Sequence, residues 1–138
     1  MTIAKRFAAS FFCEQAGESL LHVCEECAAC RRIEQNSHLA VVLLDREHTL
    51  LSDKEERKEI PIEDIRELKR MNTFRAPGRE WRVIIINEAE RMSREAATAF
   101  LKLLEEPGER TLIILVSASR DLLLPTIVSR CLPISFSL

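Results

Sequence analysis

Cys13, Cys24, Cys27 and Cys30 follow the pattern C-x10-C-x2-C-x2-C near the start of the chain. The three-residue steps from Cys24 to Cys27 to Cys30 let a helical or knuckle-like backbone turn the thiols toward one point. A tetrahedral ion held by four thiolates needs that convergence, and Zn²⁺ is its usual occupant. Such an ion contributes on the order of 10 kcal/mol to folding, enough to order a segment with few apolar residues of its own. Four thiolates leave no open coordination position, so a metal at residues 13–30 reads as structural. Two alternatives stand beside it. A redox dithiol needs only one C-x-x-C and gains nothing from four cysteines; a set of unmetallated thiols is the plain case. His22 could replace one thiolate, although the cysteines already satisfy the count. Cys131 is remote in sequence and reads as a small core residue.

A second place for chemistry is "VIIINEAE", residues 83–90. It has the form of a Walker B strand, apolar residues followed by an acidic pair. In the usual Asp-Glu pair the Asp organises Mg²⁺ and the Glu polarises the attacking water. Here Asn87 stands first, a neutral amide and a poorer ligand for a hard cation. Glu88 keeps the second role available.

These side chains need a frame. The chain has 138 residues, 46% hydrophobic and 30% charged, with a net charge of −2; that suits one globular domain and gives no overall basic field to attract nucleic acid. No apolar run approaches the roughly 18–20 residues that span a bilayer. Ile3, Phe7 and Phe11 recur every four residues, which reads as one face of a helix over residues 2–12 and not as a signal peptide. That suits a cytosolic domain, in which disulfides are unexpected. "RRIEQN" continues a second helix. Pro61 opens a third, with Ile62, Ile65 and Leu68 on one face. Ser93 caps a fourth, "REAATAFLKLLEE", which stops at Pro107-Gly108. A short helix is expected around "LLLPTIVSR". "LAVVLL", "WRVIII", "TLIILVSAS" and "LPISFS" read as four strands. Apolar strands alternating with helices predict an α/β fold, a parallel sheet covered on both faces. Chemistry in such sheets gathers at the C-terminal strand ends, here Asp45, Asn87-Glu88, and Ser117 with Ser119.

Five segments then occur in order: "CEECAACRRIEQNSH", "IPIEDIRELKR", "VIIINEAERMSREAATAFLKLLEEP", "TLIILVSAS" and "LLPTIVSRC". Together they resemble the AAA+ module of bacterial DNA polymerase III clamp-loader subunits along nearly the whole chain, and within that family the delta-prime subunit. "AATAFLKLLEEP" and the Ser129-Arg130-Cys131 triplet are the most specific pieces. The weakened Asn87-Glu88 pair favours delta-prime over the gamma/tau subunit, which keeps Asp-Glu. The family inserts its zinc module after the first helix, where Cys13 through Cys30 lie here.

The resemblance implies that Arg130 is an arginine finger, reaching a neighbouring subunit's ATP and stabilising charge on its γ-phosphate. Read alone, Arg130 is a helix-end arginine. The resemblance also places Ser117 and Ser119 in the first sensor segment, so that with Asn87 they are degenerate nucleotide-site positions. The family carries a glycine-rich loop ending Gly-Lys-Thr before "TIAKRFA", and no G-x-x-x-x-G-K-[ST] occurs in this sequence. ATP binding by that route is therefore not expected. Residues 1–138 read as a partial AAA+ domain of the P-loop NTPase type, without its first strand, lid or collar, from a truncated gene or a misplaced start codon. The family strand absent here lies between those matched by "TLIILV" and "LPISFS". Those two must then pair directly, leave open edges or recruit another chain.

The implied function is DNA replication as a non-hydrolysing delta-prime-like subunit that helps load the sliding clamp. No independent catalysis is expected of this chain within the polymerase holoenzyme. Implied partners are the gamma/tau and delta subunits, the clamp indirectly, and DNA through the assembly, in the cytoplasm and away from membranes. A truncated gamma/tau-type ATPase and a zinc-stabilised pseudo-domain without a replication role are the alternatives. Arg75, Arg79 and Arg82 form a local basic cluster that reads as a solvated turn and not as a DNA contact.

Overall fold

Val83, Ile84, Ile85 and Ile86 are apolar in succession, and each is at most 1% exposed. A strand buried on both faces requires neighbours on both edges and helices above and below. In the computed structural model, which describes residues 1–19, 21–51, 57–74 and 80–136, this run belongs to the middle strand. Strands β1 (Val41–Leu44), β2 (Arg82–Ile86) and β3 (Thr111–Leu115) form a parallel sheet in the order β1-β2-β3. Val41 faces Val83 across the first pairing, and Val83 faces Leu112 across the second.

Strand side chains alternate between faces, and the sheet therefore supports two cores. Val42, Leu44, Ile84 and Ile86 pack with α3 (Ile62–Thr73), α4 (Arg94–Glu105) and α5 (Pro125–Val128) through Ile65, Leu68, Phe100, Leu103 and Ile127. Val41, Val83 and Ile85 pack with α1 (Ile3–Ala9) and α2 (Ala28–Glu34) through Ala8, Ala9, Cys30 and Ile33. Helix α1 meets the sheet differently from the expected Ile3–Phe7–Phe11 face. Ala8 and Ala9 are fully buried whereas Ile3 is 48% exposed. Small side chains let the helix approach the sheet closely, and Phe11 instead lies against Trp81, with ring centroids 5.2 Å apart.

The helix boundaries follow local chemistry. Ser93 Oγ accepts a hydrogen bond from the Ala96 amide at 3.1 Å, capping α4. Past its end, Gly108 has φ of +87°, a left-handed conformation that favours glycine. Asn72 Nδ2 donates to the Pro107 carbonyl at 2.6 Å and ties that exit to α3. The segment after β1 is held by Asp64, only 1% exposed. Asp64 accepts from the Thr49 hydroxyl at 2.7 Å and the Leu50 amide at 3.1 Å, and pairs with Arg57 at 3.2 Å.

The expected fourth strand is corrected by the structure. Residues 132–136 join no ladder, and Leu132, Ile134 and Phe136 are 87%, 67% and 62% exposed. Their alternation reports an amphipathic segment, but a strand also needs a partner edge. Among the described residues nothing pairs with the outer edge of β3, and the direct pairing of 132–136 with that edge is not formed. No helix among the described residues is long and apolar enough to cross a membrane.

Among the described residues Phe100 is the largest fully buried side chain, and it belongs to the core formed by α4 and the sheet. Phe100→Ala should cost about 3–5 kcal/mol of unfolding free energy, read as a lowered urea midpoint with an unchanged m-value. A loss below about 1 kcal/mol would contradict this packing.

Candidate metal centre and strand-end site

The four cysteines expected to converge do so. The Sγ atoms of Cys13, Cys24, Cys27 and Cys30 all lie within 4.8 Å of one another, and those of Cys13 and Cys24 are 3.6 Å apart. Tetrahedral bonds of about 2.3 Å put sulfurs roughly 3.8 Å apart, so the cluster has the dimensions of a four-thiolate metal site. It is too wide for a Cys13–Cys24 disulfide, and the cysteines are free thiols. His22 is not among the convergent groups. Its ring instead lies over Gly17, where an added Cβ would come within 2.7 Å of His22 Cδ2.

Backbone amides point at the sulfurs. The Cys27 amide donates to Cys24 Sγ at 3.2 Å, the Gln15 and Cys24 amides to Cys13 Sγ at 3.4 and 3.5 Å, and the Cys30 amide to Cys27 Sγ at 3.5 Å. The last of these caps α2, since Cys27 is its N-cap residue. Chiefly through that amide, the Cys27 thiol is lowered to about 6. Burial pushes the Cys30 thiol well above its ordinary value, with neighbouring thiols adding to the effect. Four thiolates at one point repel, so a cation must be present for all of them to ionise. The donor set thus fits a metal ion. Arg6 of α1 holds the knuckle through an ion pair with Glu25 and a long hydrogen bond to the Leu21 carbonyl at 3.4 Å, and Lys5 Nζ donates to the Glu34 carbonyl at the end of α2 at 2.8 Å. Cys131, the remaining cysteine, packs against the other core, and burial raises its thiol pKa.

At the C-terminal strand ends the side chains are committed to one another. Asp45 is buried and shapes the turn after β1, accepting from the Glu47 and His48 amides at 2.9 and 2.7 Å. Burial works to raise its carboxyl, but hydrogen bonds from His48 and Glu47 outweigh it and leave the group below its ordinary value. Glu88 is gripped by a two-pronged fork: Arg46 Nε and Nη2 each donate to a different carboxylate oxygen at 2.8 Å. Hydrogen bonding to Arg46 holds the Glu88 carboxyl below its usual range. Its backbone is left-handed, with φ 51° and ψ 49°, a conformation costing roughly 1–2 kcal/mol in a residue with a Cβ. The chain turns sharply there, and the next amide, of Ala89, donates to the Val116 carbonyl at 2.8 Å. Asn87 is fixed by its amide on the Leu44 carbonyl at 2.9 Å.

Ser117 Oγ donates to the Ser119 carbonyl at 2.9 Å, and Ser119 Oγ accepts from the Asp121 amide at 3.3 Å, capping the turn at Arg120–Leu122. Arg130 is not drawn to these strand ends. It follows α5 and pairs with Glu105, the last residue of α4, at 2.7 Å. Arg75 and Arg79 lie outside the described residues, and Arg82 begins β2.

A three-stranded parallel sheet covered by helices on both faces, a four-cysteine knuckle after the first helix and an acidic residue at the end of the central strand define a class, the AAA+-type module of DNA polymerase III subunits. The family described as "DNA polymerase III, delta subunit" matches residues 1–138, and the chain belongs to it. It is 33% identical over 131 residues to DNA polymerase III subunit delta' of Pseudomonas aeruginosa, covering 94% of this chain and 37% of that protein. Subunit delta' of Bacillus subtilis is 34% identical over 131 residues, covering 94% and 36%. Subunit gamma of Buchnera aphidicola from Acyrthosiphon pisum is 30% identical over 131 residues, covering 95% and 33%. The chain thus spans about a third of the length of these relatives. Among solved structures, a gamma subunit-related protein of DNA polymerase III from Thermotoga maritima superposes with a TM-score of 0.59 at 30% identity, covering 78% of this chain and 35% of that one.

Three features were not anticipated from the sequence. Arg46 and Glu105 are partners contributed from distant positions, which no local spacing announces. The third is a groove of about 570 Å³ between α3 and α4, bordered by Arg66, Lys69, Arg94 and Lys102 with Glu95. The signal for it was present in the three-residue step from Arg66 to Lys69 and the two four-residue steps linking Arg94, Thr98 and Lys102, which place each set on one helix face.

The purified protein should carry about one tetrahedral metal ion per chain, and Cys27→Ser should reduce that stoichiometry severalfold. Elemental analysis of both proteins measures it; metal-free wild-type protein would remove the centre from this account.

Proposed function

We propose that the chain acts in DNA replication as a delta-prime-like subunit of a clamp loader that hydrolyses no ATP itself and offers Arg130 to a neighbouring subunit's ATP. The carrying observation is the contrast between Glu88 and Arg130. Glu88, the residue that would polarise water, is locked in a fork with Arg46 and follows an amide where a metal-binding carboxylate is usual. Arg130 stands half-exposed beside Glu105, the last residue of α4, where it can meet another chain. The delta' relatives support the same reading. Asn87, Ser117 and Ser119 then serve as strand-end caps in place of nucleotide contacts. Partners are the other clamp-loader subunits, gamma/tau and delta, with the sliding clamp reached indirectly, in the cytoplasm. Residues 1–138 act as part of an AAA+ domain with the knuckle at 13–30 as its insertion. The ion at Cys13, Cys24, Cys27 and Cys30 is Zn²⁺ in a structural role, the usual choice of four thiolates.

A second reading, an ATPase of the gamma/tau kind, draws on the retained Glu88 and the gamma and tau relatives. One set of variants separates the two. In the reconstituted assembly, Arg130→Ala should lower ATP turnover at least about 10²-fold, in line with loss of a charge-stabilising donor, and leave subunit association intact. Glu88→Gln should leave turnover unchanged. Unchanged turnover with Arg130→Ala would refute the finger role, and loss with Glu88→Gln would favour the ATPase.

DNA contact through the assembly is supported by the α3–α4 groove. Among the described residues its four cations have no ion-pair partner, and Ile62, Ile65 and Ala99 form the floor. Unpaired cations along two adjacent helices suit a phosphate backbone. Replacing Arg66 and Lys102 together by Ala should weaken DNA binding by the assembly for all sequences alike and flatten the log–log salt dependence by about 1–2. An unchanged salt slope would exclude the groove as a DNA contact.

A further inference from the structure

Helix α4 ends at Glu105, whose side chain meets Arg130 where α5 packs on α4. Arg130 Nη2 and Nε both donate to Glu105 Oε1, at 2.7 and 3.1 Å, and Arg130 Nη1 donates to the Thr126 carbonyl at 2.8 Å. A guanidinium has five N–H donors. Three are engaged by these contacts, leaving the second Nη2 hydrogen uncommitted. The second Nη1 hydrogen has only the long contact to Ser129 Oγ, at 3.4 Å.

Both partners are mounted on rigid parts. Phe100 and Leu103 anchor the last turns of α4 in the core, and the chain just beyond is held by Asn72 at the Pro107 carbonyl. Ile127, 1% exposed, anchors α5 from the other side. The pair itself is open to water, with Arg130 and Glu105 side chains 37% and 50% exposed. Ion pairs at such exposure add little to stability. What the contact supplies is direction. A long arginine side chain loses rotamer freedom before any phosphate arrives, so less is lost when the phosphate is bound.

We propose that Glu105 is a positioning residue for Arg130, holding the guanidinium by its Nε side so that the free Nη hydrogens are presented to an incoming phosphate oxygen. This rests on the reading of Arg130 as a donor to a neighbouring subunit's ATP. Glu105 touches neither nucleotide nor reacting atoms; it acts through Arg130 alone. An acceptor oxygen is the essential feature, and the negative charge is secondary.

The test uses the full protein reconstituted with its ATP-binding partner subunits. Glu105→Ala and Glu105→Ser should each lower kcat for ATP about 3- to 10-fold with KM unchanged, the range expected from freeing one long side chain. Glu105→Gln, which keeps an acceptor oxygen, should restore kcat to within about twofold. Adding Glu105→Ala to Arg130→Ala should cause no further loss, and melting temperatures should coincide across the series. Wild-type kcat in both Glu105→Ala and Glu105→Ser, beside a large loss in Arg130→Ala, would overturn the positioning role and leave the finger intact. No loss in Arg130→Ala would overturn the finger and this inference with it. An additive loss in the double variant would show Glu105 acting elsewhere and overturn the inference alone.

Discussion

Burial of β2 on both faces is the constraint on which the remaining architecture depends. Val83 through Ile86 can leave water only if strands flank them on both edges and helices cover them on both sides. Parallel pairing then requires long crossovers, and these become α3 and α4. The knuckle and α1 cover one face because Val41, Val83 and Ile85 point there. The strand end carrying Asn87 and Glu88 is held by the same burial, since its carbonyls and amides are joined to Leu44 on one side and Val116 on the other. The strained backbone at Glu88 persists because its neighbours are fixed on both sides.

Much of this was legible in the residues. The apolar runs at 41–44 and 83–86, led by Val41, Val42, Val83, Ile84, Ile85 and Ile86, form strands because β-branched side chains pack on a pleated, buried surface. Ser93 and Pro61 marked helix starts for reasons that operate within one turn of chain, and the cysteine spacing implied convergence because three-residue steps turn the same way. What was hidden depends on distance in sequence. Arg46 and Glu88 are 42 residues apart, and Arg130 and Glu105 are 25 apart. No periodicity links such pairs; only the folded sheet does. The misread segment at 132–136 fails for a related reason: alternation is a property of one segment, whereas a ladder is a property of two. The α1 face was misread because Ile3 and Phe7 are the more apolar residues, yet alanines allow the closer approach.

Glu88 and Glu105 are both held by arginines, and in different grips. At Glu88 the Arg46 fork occupies both carboxylate oxygens, which ties up the group at the end of the central strand. At Glu105 both contacts from Arg130 fall on one oxygen, Oε1, and the pair is open to water. The first grip leaves neither oxygen without a donor, whereas the second leaves Oε2 outside the ion pair and part of the guanidinium's donor set uncommitted.

The cysteine knuckle has a consequence that reaches beyond its own loop. Cys13, Cys24, Cys27 and Cys30 are packed into the same apolar cluster as Ala8, Ala9, Val83 and Ile85, so an ion held by the four thiolates would tie its own occupancy to the integrity of one whole sheet face. An ion that binds only the folded form stabilises it in proportion to the logarithm of its free concentration. With such an ion in place, two cells holding identical chains at different metal activities would maintain different fractions of them folded.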